Sequence, residues 1–220
     1  MKGNLTGLFL LIAVGLFVIL SGCNNDDPGV DPVVYINAAF IYHTDDSEGL
    51  LYKNFMENNG FAVTLYESDN VQTTDFSSVE IFLVGNSAGL SEWNISAKTE
   101  AVTGMGVPVI GLVDGGYVFR FLSQRLSSGS CMGWTGTSNN TIRPQEITHD
   151  IWKTPFNLNI SSSDPIQIYI DDGFHHMYGL QQEGADPVEY LAQRDLDASS
   201  HYPVAVQGTT AYWGFDESLT

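Results

Sequence analysis

Three groups of residues in this 220-residue chain have the types and spacing to do chemistry. The first is Gly85-Asn86-Ser87-Ala88-Gly89, a G-x-S-x-G segment directly after the apolar run Glu80-Ile81-Phe82-Leu83-Val84. A serine on a sharp turn between strand and helix exposes its hydroxyl to a general base. The order serine, acid, histidine is available as Ser87, then Asp171 or Asp172, then His201. Against a hydrolase, only about 50 residues separate the first predicted strand from Ser87, and no His-Gly-Gly-Gly-like segment supplies an oxyanion loop. Leu90-Ser91-Glu92-Trp93 is not a clear helix start either. The segment reads better as a small-residue turn at the end of a parallel strand, and a serine esterase using Ser87 is the alternative reading.

The second group is Asp171-Asp172-Gly173-Phe174-His175-His176. Carboxylates and imidazoles suit a divalent ion, but adjacent residues rarely converge on one metal without ligands from elsewhere. The chain has neither an H-E-x-x-H motif nor the acidic spacing of a calcium loop. A polar turn after a strand is expected here, with no metal and no cofactor. Gly104-Met105-Gly106 opens no helix and precedes a strand, so it is a helix C-terminus and not a dinucleotide fingerprint. Cys131 lies in a Gly/Ser stretch, where a free thiol packs more often than it reacts.

The third group is scattered along the chain: His43 and Asp45, Asn86 and Ser87, and Asp114 with Gly115 and Gly116. Each set follows an apolar run. In an open parallel sheet, loops beyond the strand C-termini collect ligands, because unpaired backbone donors and helix N-termini gather there. Asp114 and Asn86 offer the acceptors and donors a sugar or other polyol requires, while the glycines allow close backbone approach. These seven residues are therefore expected to line one cleft for a small polar or carbohydrate ligand. The competing role for Asp114 is to cap a helix beginning near Tyr117.

The elements that would position them alternate from Val33 onward. Ala38 to Tyr42, Phe61 to Tyr66, Glu80 to Val84 and Val107 to Val113 are strand-like, with Pro108 near the start of its run, where a missing donor is tolerated. Helical stretches follow over 50–58, 95–102 and 117–126. Non-alternating apolar strands separated by helices imply a parallel sheet covered on both faces, an α/β architecture. After Ser127 the rhythm changes to a Gly/Ser/Thr/Asn-rich stretch and then short runs at 166–170, 188–192, 202–206 and 211–215, which suit antiparallel additions and a final sheet strand.

Acidic residues outnumber basic ones 26 to 8, a net charge of -18, so binding to nucleic-acid phosphates is excluded. The first 22 residues are a targeting segment: Lys2, an uncharged run from Leu8 to Leu20, then Leu20-Ser21-Gly22-Cys23. That run is short for a bilayer span, which needs about 20 apolar residues, and right for a signal peptide. Its close resembles the bacterial lipobox, in which the cysteine is lipidated and becomes the first residue. Residues 23–32 are an acidic tether of about 30 Å at full extension. The expected location is the bacterial cell envelope, periplasmic or surface-exposed, with the membrane as partner through Cys23.

Several of these segments together resemble a known family. The strand ending in His43-Thr44-Asp45, the run Val79 to Asn86, and Gly111-Leu112-Val113-Asp114-Gly115-Gly116 are similar to the class I glutamine amidotransferase-like superfamily. Ile147-Thr148-His149-Asp150-Ile151 and Tyr212-Trp213-Gly214-Phe215 point to its trehalose-utilisation-like branch. The resemblance covers Val33 to Phe215. It implies a three-layer, flavodoxin-like sandwich over 33–220, with a mainly parallel central sheet and antiparallel additions in the last third. It also implies that the sequence stops short of the branch's last helix. The active members carry a nucleophilic cysteine at the centre of G-x-C-x-G, where this chain has Val113, and a His-x-Glu pair that none of its five histidines forms. The resemblance thus implies the fold without the thiol chemistry.

Lipidation is directly testable. Two or more acyl chains, at about 0.8 kcal/mol per buried CH₂, anchor a protein stably. Cys23→Ser is expected to release the protein from the membrane fraction; an unchanged mass and unchanged membrane retention in this variant would contradict the lipobox.

Overall fold

The computed structural model describes residues 35–123, 131–132, 135–136, 141–153, 160, 162–167, 175–181, 187–194 and 201–216. The leader, Cys23, the tether, Asp171 and Asp172 lie outside them. Four strands open the chain: β1 (Ile36–Tyr42), β2 (Phe61–Glu67), β3 (Ile81–Val84) and β4 (Val109–Leu112). Between them come α1 (Ser47–Glu57), a 3-10 turn (Ser68–Thr73), α2 (Leu90–Trp93) and α3 (Ser96–Thr103), and α4 (Val113–Ser123) follows β4. The strands pair in parallel in the order β2-β1-β3-β4.

Side chains alternate between the faces of a strand. Ala39, Ile41, Phe82, Val84 and Val109 accordingly join one apolar cluster with Val71, Trp93, Val102 and Phe119 from the 3-10 turn, α2, α3 and α4, and with Phe76 from the loop before β3. Their neighbours Ala38, Phe40, Ile81, Leu83 and Leu112 join another with Met56 of α1. Both faces are covered, so the central strands carry unbroken apolar runs, and β3 is buried at all four positions. The result is a three-layer α/β sandwich.

Five short strands form two small sheets and part of the main one: β5 (Cys131–Met132), β6 (Thr135–Gly136), β7 (Thr141–Pro144), β8 (Ile166–Gln167) and β9 (His175–Met177). The remaining strands are β10 (Gly179–Gln181), β11 (Glu189–Arg194), β12 (His201–Tyr202), β13 (Val204–Gln207), β14 (Thr210–Trp213) and β15 (Phe215–Asp216). The nine-stranded sheet runs β2-β1-β3-β4-β14-β13-β11-β7-β8. β14 is parallel to β4 and antiparallel to β13, so it joins the parallel half to the antiparallel half. β5, β10 and β12 make one small sheet, and β6, β9 and β15 the other. Among the described residues no helix is long and apolar enough to cross a membrane.

The expected strands and helices are present with shifted ends, and the largest shift is at β4. The run predicted as strand to Val113 stops at Leu112, and the helix expected from Tyr117 begins at Val113. Two glycines that look like a loop in sequence instead pack the first turn of α4 against the sheet. A Cβ on Gly116 would lie 2.1 Å from the Gly111 carbonyl carbon, and one on Gly115 would lie 2.0 Å from the Gly85 carbonyl oxygen. Gly116→Ala is therefore expected to cost about 3 kcal/mol or more, because neither backbone can move aside. Gly106→Ala, at φ +69 with open space around it, is expected to cost only about 1–2 kcal/mol of backbone strain. Urea unfolding of the two variants separates a packing constraint from a conformational one.

Candidate functional site

The strand order places a topological switch between β1 and β3: β2 lies on one side of β1, while β3, β4 and β14 extend on the other. At the C-terminal ends of these strands stand the loop after β1, with His43, and the turn after β3, with Asn86 and Ser87. The first turn of α4, with Asp114, follows β4. Hydrogen bonds join the three. The His43 N–H donates to Ser87 Oγ at 3.0 Å, and the Asp114 N–H donates to Asn86 Oδ1 at 3.2 Å. The Asn86 N–H donates to Glu48 Oε2, from α1, at 2.9 Å. His43, Asn86, Ser87 and Asp114 are thus brought together. Gly115 and Gly116 are buried beneath them, and the space left by their missing side chains is taken by Gly85 and Gly111. Asp45 is spent locally: its Oδ1 accepts from the Ser47 N–H at 2.9 Å at the start of α1, which lowers its pKa.

Backbone strain marks the same place. Among the described residues only two non-glycines have positive φ, Thr44 at 58° and Val113 at 49°. Thr44 lies at the middle of a three-residue turn closed by the Asp45 N–H on the His43 carbonyl at 2.6 Å. Val113 is the turn from β4 into α4 and is 1% exposed. A β-branched residue at positive φ is unfavourable by about 1–3 kcal/mol, and burying its side chain returns about the same. Ser87 has no such backbone. Among the described residues no imidazole lies within hydrogen-bond distance of Ser87 Oγ, and His201 sits 8% exposed on β12. Among the described residues the sharp strand-to-helix elbow at positive φ is at Val113; Ser87 lies in the turn between β3 and α2, where Leu90–Trp93 is a short helix that the sequence did not suggest.

Behind His43 lies a buried ionic chain. His43 Nδ1 is 3.0 Å from Ser68 Oγ, which donates to Glu92 Oε2 at 2.6 Å. The same oxygen accepts from Lys98 Nζ at 2.6 Å, and Lys98 also reaches Asp69 Oδ1 at 3.0 Å. Burial alone would raise the Glu92 carboxyl, but hydrogen bonds from Lys98 and Ser68, with the charges of Lys98 and His43, outweigh it and hold the pKa at about 2. Burial would lower the Lys98 ammonium, yet Glu92 and Asp69 raise it. The donor atoms of His43, Asp69 and Glu92 lie within 4.8 Å of one another, a set that could hold a divalent ion. Lys98 already supplies the cation, so these residues do not fit a metal while it is in place. His175 and His176 stand on β9 and Cys131 on β5. His149 serves as a cap, its Nδ1 accepting from the Ile151 N–H at 3.1 Å.

Sequence reasoning did not find Ser68, Glu92 or Lys98. They are distant in the chain and belong to no motif. One signal was available: in a chain so short of cations, a lysine within an apolar-facing helix must find carboxylates.

Two outcomes follow from the Glu92–Lys98 pair. Removing one partner of a buried pair strands the other charge, so Glu92→Gln is expected to destabilise the fold by about 3 kcal/mol. Because the folded pKa of Glu92 lies below its unfolded value of 4.5, its contribution is complete above that value and is lost as pH falls toward about 2. Denaturant midpoints measured down this range should fall less steeply in Glu92→Gln than in the wild type.

No family model and no curated protein matches the sequence. Solved structures do match. The structure of PurLQS from Thermotoga maritima superposes with a TM-score of 0.57 at 12% identity, over 83% of this chain and 87% of that one. The crystal structure of a putative GMP synthase subunit from Thermoplasma acidophilum superposes with a TM-score of 0.53 at 7% identity, over 82% and 84%. At these identities the likeness is one of fold: the chain has the α/β fold of these two proteins.

Proposed function

We propose that this protein is exported, anchored through a lipidated Cys23 in the bacterial cell envelope, and binds a small polar ligand, a carbohydrate by preference, without catalysing a reaction. Val113 carries the reading. It stands at the centre of Gly111-Leu112-Val113-Asp114-Gly115, on a strained turn from strand into helix at φ 49°. The resemblance to the amidotransferase-like superfamily gives that position to a nucleophilic cysteine. An isopropyl group has no lone pair with which to attack, so the elbow is kept while the reagent is gone. What remains around it suits binding: Asp114 is exposed in the first turn of α4, with His43, Asn86 and Ser87 partly exposed beside it.

A ligand that binds only the folded state stabilises it by about 2.7 kcal/mol at a hundredfold excess over its Kd. A thermal-shift screen of monosaccharides, disaccharides and polyols should therefore find at least one that raises the Tm. Asp114→Ala should weaken that compound about tenfold or more, the loss expected for a hydrogen bond to a charged acceptor. If no sugar or polyol moves the Tm, the carbohydrate reading fails. Fluorophosphonate labelling that disappears in Ser87→Ala would put a serine hydrolase in its place.

A further inference from the structure

The backbone amides of the cleft are already engaged. The N–H groups of His43, Asn86 and Asp114, the amides that would greet an anion at these strand ends, are given to Ser87 Oγ, Glu48 Oε2 and Asn86 Oδ1. The polar side chains at the surface are the exposed Asp114 carboxylate, the partly exposed Ser87 hydroxyl and Asn86 carboxamide, and His43. The character of this last group turns on which of its ring nitrogens carries the proton.

The buried chain decides this by hydrogen-bond accounting. Glu92 is ionised at neutral pH, so its carboxylate only accepts. Ser68, fully buried, has one hydroxyl proton, and at 2.6 Å that proton goes to Glu92 Oε2. Toward His43 the serine oxygen can then only accept, so the proton on that contact belongs to His43 Nδ1. Glu92 Oε2, 3.5 Å from the same nitrogen, is a second acceptor demanding the same proton. Lys98 holds Glu92 from the other side and keeps it from turning away. Nε2 is left as a lone-pair acceptor on a side chain 28% exposed, with no hydrogen-bond partner among the described residues.

We infer that the Glu92–Ser68 pair fixes His43 in the Nδ1–H tautomer, so that Nε2 accepts a hydroxyl proton from a neutral polyhydroxylated ligand, while the exposed Asp114 carboxylate beside it turns anions away. His43 is the contact residue, and Ser68 and Glu92 are positioning residues acting through it. The ligand half of this inference rests on the proposed binding function; the tautomer half does not.

The test is ¹⁵N spectroscopy of the full-length, histidine-labelled chain in detergent, with His43 assigned through His43→Gln. In the neutral ring, the wild type is expected to show a protonated Nδ1 and an unprotonated Nε2. Ser68→Ala should shift the tautomer ratio toward Nε2–H by about fivefold, the equilibrium equivalent of one net hydrogen bond. Glycerol, as a neutral hydroxyl probe, should move the Nε2 resonance, whereas inorganic phosphate at the same ionic strength should not. A wild-type ring with its proton on Nε2 overturns the relay, and this measurement needs no variant to fold. A tautomer unchanged in folded Ser68→Ala combined with Glu92→Met, which removes both acceptors, overturns it too. With the tautomer as expected, silence toward glycerol or a response to phosphate overturns the ligand class and leaves the relay standing.

Discussion

The site depends on one steric constraint, the approach of α4 to the ends of β3 and β4. Gly115 lies under the Gly85 carbonyl and Gly116 against Gly111, at distances no side chain would survive. This contact fixes where the helix begins, forces Val113 into positive φ, and brings the Asp114 amide within reach of Asn86. With a larger residue at Gly111, Gly115 or Gly116, α4 would lift off the sheet and the loops after β1, β3 and β4 would no longer share hydrogen bonds. The order of the parallel strands then does the rest, because the switch between β1 and β3 opens the crevice at which those loops meet.

The polar network under His43 is a second layer of the same design. An exposed ion pair contributes little, and a buried one is an uncertain gain over well-packed apolar residues. Glu92 and Lys98 are therefore poorly explained as stabilisers alone. Their geometry is better suited to orientation: Lys98 and Ser68 both bond the same carboxylate oxygen, Glu92 Oε2, and the His43 imidazole rests on that serine.

The sheet was legible in the sequence because strands buried on both faces need uninterrupted apolar runs, as in Ala38 to Tyr42 and Ile81 to Val84. The convergence of His43, Asn86, Ser87 and Asp114 was legible for the same reason, since parallel strands put their C-terminal loops at one end. The start of α4 was not. Val113-Asp114-Gly115-Gly116 has the composition of a loop, and only the close approach of two backbones explains why glycine is needed inside a helix. Ser68, Glu92 and Lys98 were also out of reach, because their contact depends on how the 3-10 turn, α2 and α3 pack together. Asp45, also read as facing a ligand, has one carboxylate oxygen engaged at a helix start, a use of Asp that the sequence reading did not separate from ligand contact.

The register between β4 and β14 carries a consequence for how the molecule forms. Thr210 pairs with Val109 and Trp213 with Leu112, so the middle of the sheet is closed by segments roughly one hundred residues apart. Until β14 arrives, β4 is an edge strand with its ladder groups on one side unpaired, and the antiparallel half of the sheet is not joined to the parallel half. Contacts this distant in sequence make folding slow and leave an apolar edge open in the meantime. An apolar strand edge left open for that time is the part of the molecule most exposed to mispairing with another chain.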